Sequence, residues 1–122
     1  MDTTKEEVET FLKDFKQKMA ARVGGYSVIF YRERPKNLQT QLDLELKELE
    51  KEKYLSELTI EDFYKGPTKD VDGGPDLWEF GKTVKNKEMY IKISIGKLNK
   101  PARCISFHLP EREIKYPFKK KI

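Results

Sequence analysis

The segments Leu77-Trp78-Glu79-Phe80-Gly81-Lys82-Thr83-Val84, Glu88-Met89-Tyr90-Ile91-Lys92-Ile93-Ser94-Ile95 and Ala102-Arg103-Cys104-Ile105-Ser106-Phe107-His108-Leu109 decide how this chain folds. Successive strand side chains point to opposite faces of a sheet. Met89, Ile91, Ile93 and Ile95 therefore mark a core face, and Tyr90, Lys92 and Ser94 the opposite one. In the third segment, strict alternation groups Arg103, Ile105, Phe107 and Leu109 against Cys104, Ser106 and His108. Lys85-Asn86-Lys87 makes the first turn, with Asn86 suited to a positive φ, and Gly96–Pro101 a looser second one. A turn at Asn86-Lys87 predicts pairing of Val84 with Met89, Thr83 with Tyr90, Gly81 with Lys92 and Glu79 with Ser94. If Tyr90 pairs with His108 on the other side, Glu79, Tyr90, Lys92 and His108 converge on one surface. A one-residue change in the first turn would reverse parity and send Glu79 to the core.

That surface has a chemical logic. Cleavage of RNA by its own 2′-hydroxyl needs a base for that proton, an acid for the leaving 5′-oxygen and cations over the phosphorane charge. Imidazole serves as acid or base near neutrality, and tyrosine stacks a base or hydrogen-bonds a phosphate. The candidate catalytic set is Glu79, His108, Tyr90, Lys65 and Lys92; the candidate RNA-binding set is Lys65, Lys92, Tyr90, Lys82 and Arg103. Each member also has a plainer reading. Glu79 and Lys92 make an ordinary cross-strand ion pair, Tyr90 and Trp78 pack, Lys65 sits on the surface, and a lone strand histidine is structural or exposed. No phosphate-binding glycine motif is present, and one histidine with one cysteine excludes the common zinc sets. Asp70-Val71-Asp72-Gly73 hints at a calcium loop, but Gly81 falls where a bidentate glutamate belongs, so it reads as a turn-rich loop. No metal or cofactor is expected.

Upstream, Thr4 and Glu7 form a capping box ahead of Val8, Phe11, Leu12, Phe15 and Met19 at helical spacing. This helix should stop near Arg22, at Gly24-Gly25. Tyr26–Arg32 is rich in β-formers and reads as a strand, broken by Arg34-Pro35-Lys36-Asn37. Residues 38–58 favour helix, with Leu38, Leu42, Leu46, Leu49, Leu55 and Leu58 as the apolar set. The stripe loses register around Glu50–Lys53, which predicts two helices or one with a defect there. Thr59–Asp62 is a cap or tight turn, and Gly66–Pro75 a loop by every breaker signal. In the tail, Tyr116-Pro117-Phe118 packs its aromatics and leaves the following lysines free.

At 122 residues the chain is expected to be a single domain, with 1–58 mainly helical and 59–122 a β-meander and basic tail. Charge is uneven. Residues 1–61 hold 11 Lys/Arg against 13 Asp/Glu, while residues 62–122 hold 14 against 8, net +6. The half with the candidate site is the basic one, as suits a partner bearing phosphate or acidic groups, although an ordinary lysine-rich surface reads the same way. Cys104 lies in an apolar pattern and reads as a buried small hydrophobe in a reducing cytosol. There is neither a membrane-length apolar run nor a signal-peptide pattern, so a cytoplasmic protein is expected.

Several of these stretches together resemble the motility quorum-sensing regulator (MqsR) toxins of bacterial toxin–antitoxin pairs. They are Leu58-Thr59-Ile60-Glu61-Asp62-Phe63-Tyr64-Lys65, the strand led by Trp78, Glu88-Met89-Tyr90-Ile91-Lys92-Ile93 and Ile105-Ser106-Phe107-His108. The resemblance covers about half the chain by motif and nearly all of it by element order. The order of elements predicts an α+β domain with helices packed on one face of a small antiparallel sheet and strand 26–32 joining its edge, and the resemblance implies that it is RelE-like. It further implies a metal-independent mRNA endoribonuclease that blocks translation and growth and is held inactive by an antitoxin protein. The family's lysine in the Phe-Tyr-Lys run falls on Lys65, and its Tyr-x-Lys tyrosine on Tyr90, followed by Lys92. Glu79 stands where the family has glutamine, and His108 where it has a basic residue closing the strand. Both changes keep or add acid–base capacity while exchanging a cation for an anion near the phosphate. From their chemistry, the roles expected here are Glu79 as base and His108 as acid (exchangeable), with Lys65 and Lys92 on phosphate charge and Tyr90 positioning the substrate. The rival from a different class is a non-catalytic module that binds RNA or an acidic protein on the same basic face.

Overall fold

The computed structural model describes residues 3–31 and 34–120. It is an α+β arrangement of three α-helices, α1 (Lys5–Ala21), α2 (Pro35–Asp43) and α3 (Glu48–Ser56), with five strands. The strands are β1 (Val28–Phe30), β2 (Phe63–Thr68), β3 (Leu77–Val84), β4 (Lys87–Ser94) and β5 (Ala102–His108), in spatial order β1-β5-β4-β3-β2. The sheet is mixed, not purely antiparallel as expected: β1 joins the edge parallel to β5, pairing Val28 with Ala102 and Phe30 with Cys104. A parallel pair needs a long crossover, and residues 31–101 supply it. Arg32, the expected end of the first strand, lies outside the described residues.

The capping box of α1 forms as read: Thr4 Oγ1 accepts from the Glu7 amide, and Glu7 Oε1 accepts from the Thr4 amide. The helix stops one residue earlier than the glycines suggest, because Arg22 itself takes the left-handed conformation at φ 52°. Val8, Phe11, Leu12, Phe15 and Met19 are buried against Phe63, Phe80, Met89, Ile91 and Ile93 of the sheet. Trp78 joins them, stacked on Phe11 with ring centroids 4.5 Å apart.

Two helices do occupy residues 35–56, but the break falls at 44–47, with Glu45 at φ 51°, and not at Glu50–Lys53. The expected leucine face is also corrected. Leu46, Leu55 and Leu58 are buried, whereas Leu38, Leu42 and Leu49 are 47%, 63% and 78% exposed. The reason is where α2 lies. It runs beside the free backbone edge of β5 beyond β1, and backbone groups demand polar partners. Asn37 Nδ2 donates to Tyr31 O (2.8 Å) and Ile105 O (2.9 Å), and its Oδ1 accepts from the Phe107 amide (3.0 Å). Thr40 Oγ1 accepts from the Leu109 amide. A side-chain amide thus stands in for the missing neighbouring strand.

The β3–β4 turn is a two-residue one, Lys85 and Asn86, both left-handed at φ 50° and 67°, the geometry that matches the sheet's twist. Val84 therefore pairs with Lys87, Gly81 with Tyr90 and Glu79 with Lys92. Each expected partner is displaced by two residues, and an even displacement preserves facing. Tyr90 pairs with His108 as expected. In β5 strict alternation fails: the register shifts between Lys92–Ser106 and Ile93–Cys104, leaving Ile105 as a bulge. Cys104, assigned by alternation to the polar face, is buried in the core with Phe107, and burial pushes its thiol up to about 12. Finally, Gly66-Pro67-Thr68 belongs to a strand, not a loop. β2 is an edge strand, where a proline's missing N–H is tolerated. A Cβ at Gly66 would stand 2.9 Å from Leu77 O, which explains the glycine.

Candidate functional site

One row of paired positions crosses four strands on the face opposite the helices. Lys65 on β2 pairs with Glu79 on β3, Glu79 with Lys92 on β4, and Lys92 with Ser106 on β5. The next row on that face is Gly81, Tyr90 and His108. The side chains line a half-open cleft of about 270 Å³, shared with Arg34, Tyr64, Arg112 and Ile114. The five residues expected to be catalytic, Lys65, Glu79, Tyr90, Lys92 and His108, all line this cleft.

Tyr90 is the hinge of the arrangement. Its hydroxyl donates to Glu79 Oε1 at 2.5 Å, and its ring lies 5.3 Å from the His108 ring, tilted by 39°. Burial, then the hydrogen bond and charge of Glu79, raise the Tyr90 phenol far above its ordinary range, so it is a neutral donor. Glu79 is only 6% exposed and lies between two lysine-bearing positions in the sheet register. The Tyr90 hydroxyl is the hydrogen-bond donor that a buried carboxylate needs. His108 is 7% exposed, and its Nδ1 lies 2.8 Å from the Leu109 carbonyl. A carbonyl only accepts, so Nδ1 carries hydrogen there. Nε2 is then the lone-pair nitrogen of the neutral ring and a second donor once the ring is protonated.

The tail makes one wall of the cleft. From His108 the chain turns back across the sheet, placing buried Ile114 and half-buried Tyr116 over Gly81. Tyr116 Oη donates to Glu88 Oε2 at 2.7 Å, and Phe118 stacks on Phe63 at 5.6 Å. Glu111 is ion-paired with Lys36 on α2, and that hydrogen bond holds its carboxyl below the ordinary range. The expected packing of the tail's aromatics is observed; Lys121 lies outside the described residues.

Two expected RNA-binding residues lie elsewhere. Lys82 alternates with Gly81 and so shares the helix-facing side of β3, 3.8 Å from Asp62. Arg103 does lie on the cleft's side of β5, paired with Ser94, but near the strand's start. There it sits 3.9 Å from Asp70 and over the Tyr31 ring at 5.0 Å, and it does not line the cleft.

Arg34, Tyr64 and Arg112 were not anticipated. Arg34 precedes Pro35 and so takes the extended conformation forced there, φ −80°, ψ 120°. Asn37 then ties the start of α2 to β5, and Arg34 Nη1 reaches Ser106 Oγ at 2.9 Å. Residues 34–37 read as a break ahead of a helix at Leu38, whereas α2 starts at Pro35 itself, and a contact spanning 72 residues leaves no mark in the sequence.

Among the described residues, no three His, Cys, Asp or Glu side chains gather as a metal-binding group, and no helix is long and apolar enough to cross a membrane. In comparisons with known proteins, the chain matches no family model, no curated protein and no solved structure.

Proposed function

We propose that this cleft binds single-stranded RNA and cleaves it as a metal-independent endoribonuclease. The observation that carries the reading is the Lys65–Glu79–Lys92 row beside the Tyr90–His108 pair, which sets an acid–base couple and cations around one opening. In the proposed step, Glu79 Oε2 takes the 2′-hydroxyl proton while the 2′-oxygen attacks phosphorus. The bond from phosphorus to the 5′-oxygen breaks, and the 5′-oxygen takes a proton from the His108 imidazolium at Nε2. The products are a 2′,3′-cyclic phosphate and a 5′-hydroxyl. Tyr90 holds the carboxylate through Oε1, and the two ammonium groups carry the phosphorane's extra charge. Together with the sequence resemblance, this supports a RelE-like, MqsR-type toxin acting on mRNA in the cytoplasm and restrained by an antitoxin protein.

The test is incubation of purified protein with a defined RNA in EDTA, alongside Glu79→Gln and His108→Ala. Cleavage with cyclic-phosphate ends should fall by about 10²–10⁴ in each variant, the usual scale of general acid–base catalysis. Glu79→Gln should bind RNA more tightly, because it removes an anion from the cleft. Intact RNA with wild-type protein, despite tight binding, would establish the rival binding module. Induction in cells should arrest growth, with rescue by a co-expressed antitoxin.

A further inference from the structure

We infer that Arg34 is a phosphate-positioning residue for a second backbone phosphate, so that the substrate strand crosses the sheet from β2 to β5, perpendicular to the strands. This rests on the RNA reading of the cleft. The row Lys65–Glu79–Lys92–Ser106 follows the hydrogen-bonding direction, and Arg34 extends it by one more cation through Ser106. Adjacent strands lie about 4.8 Å apart, so the backbones at Lys65 and Ser106 stand about 14 Å apart across three gaps. No single phosphate spans that distance. The reacting phosphate belongs over Glu79, Tyr90 and His108, where Lys65 and Lys92 reach it; Arg34 lies beyond, on the β5 side.

Arginine suits that place. Its planar guanidinium has five donors; one is used on Ser106, and the others remain for two phosphate oxygens at once. The side chain is exposed, while its backbone is fixed by Pro35 and by the Asn37 bridge to β5. That combination is accessibility with little ordering cost. Among the described residues, Glu111, a carboxylate lining the same cleft, is engaged by Lys36. The substrate class is therefore an oligonucleotide with at least two backbone phosphates, not a dinucleoside monophosphate.

The probes are fluorescent, non-cleavable 2′-deoxy oligonucleotides, one a dinucleotide with a single phosphodiester and one a tetranucleotide, titrated by anisotropy over a range of salt. Arg34→Gln should weaken the tetranucleotide about tenfold, the scale of one lost charged hydrogen bond. It should flatten log K against log salt by about 0.7, one phosphate contact on a single strand. Dinucleotide binding should stay within about twofold. Arg34→Lys should keep the salt slope and recover only part of the affinity. Equal loss on both probes, or no loss on either, overturns the inference, and unchanged thermal unfolding shows that the fold is intact. An Arg34-dependent affinity without RNA cleavage sinks the nuclease step alone, whereas cleavage without Arg34 dependence sinks this inference alone.

Discussion

Gly81→Ala tests whether the tail is a built wall of the cleft. In an open strand, glycine is about 0.5–1 kcal/mol worse than alanine, so the substitution should stabilise. Here the new Cβ would lie 2.9 Å from Ile114 Cδ1 and well inside contact distance of Tyr116 Oη. Either the tail lifts or the sheet strains. Overpacking costs about 1–3 kcal/mol, and lifting the buried Ile114 into water costs a similar 1.5–3 kcal/mol. After the intrinsic gain from losing glycine, a net destabilisation of about 1–2 kcal/mol is expected. Tyr116 would also lose its bond to Glu88.

The assay is denaturant unfolding of four proteins: wild type, Gly81→Ala, Ile114→Ala with Tyr116→Ala, and all three changes together. With both tail side chains truncated, the clash has no partner, and Gly81→Ala should turn stabilising. The sign of its effect thus depends on residues more than thirty positions away, which no local propensity explains. A stabilising Gly81→Ala in the wild-type chain refutes the reasoning, as does an equal cost in both backgrounds.

Two further outcomes follow from buried polar contacts. Asn37→Ala strands the Phe107 amide and removes the donor to two carbonyls, so it should cost about 2–4 kcal/mol, read as a lower denaturant midpoint at unchanged slope; a loss below about 1 kcal/mol would show that water replaces the side chain. Tyr90 keeps its proton in the folded state at pH values where the unfolded phenol, near pH 10, gives it up. Its stabilising share is therefore complete below about pH 10 and is lost as pH rises through the folded-state value. Stability measured from about pH 9 upward should fall less steeply in Tyr90→Phe, and parallel curves would contradict the assigned role of burial and Glu79.

What could be read from residues alone was periodic. The β3–β4–β5 meander announced itself by alternation and by Asn86, and its facing survived a wrong register because the error was two residues. What could not be read was aperiodic or long-range. The bulge at Ile105 has no side-chain marker, yet it alone lets Cys104 enter the core while Ser106 and His108 face the cleft. Gly66-Pro67 signals a loop anywhere except at a sheet edge. Leu38 and Leu42 misled because α2 meets a strand's backbone and not an apolar face. Arg34 and the tail wall are contacts across the chain, so the gathering of Lys65, Glu79, Tyr90, Lys92 and His108 in one cleft was legible while half of the cleft's rim was not.

The chemical character of the cleft argues against simple storage of a polyanion. A surface that only held phosphate would do best with unopposed cations, because a neighbouring anion lowers the local potential. Here Glu79 occupies the middle of the cationic row, almost out of reach of water, where a carboxylate is costly unless paired and hydrogen-bonded. Tyr90 bonds one of its oxygens, and the Leu109 carbonyl fixes which nitrogen of His108 carries hydrogen. Two groups able to move protons are thus each oriented by a partner that does not itself need to react. Binding needs none of this. An oriented carboxylate beside an oriented imidazole is the organisation that proton transfer would require, which is why we propose cleavage and not retention.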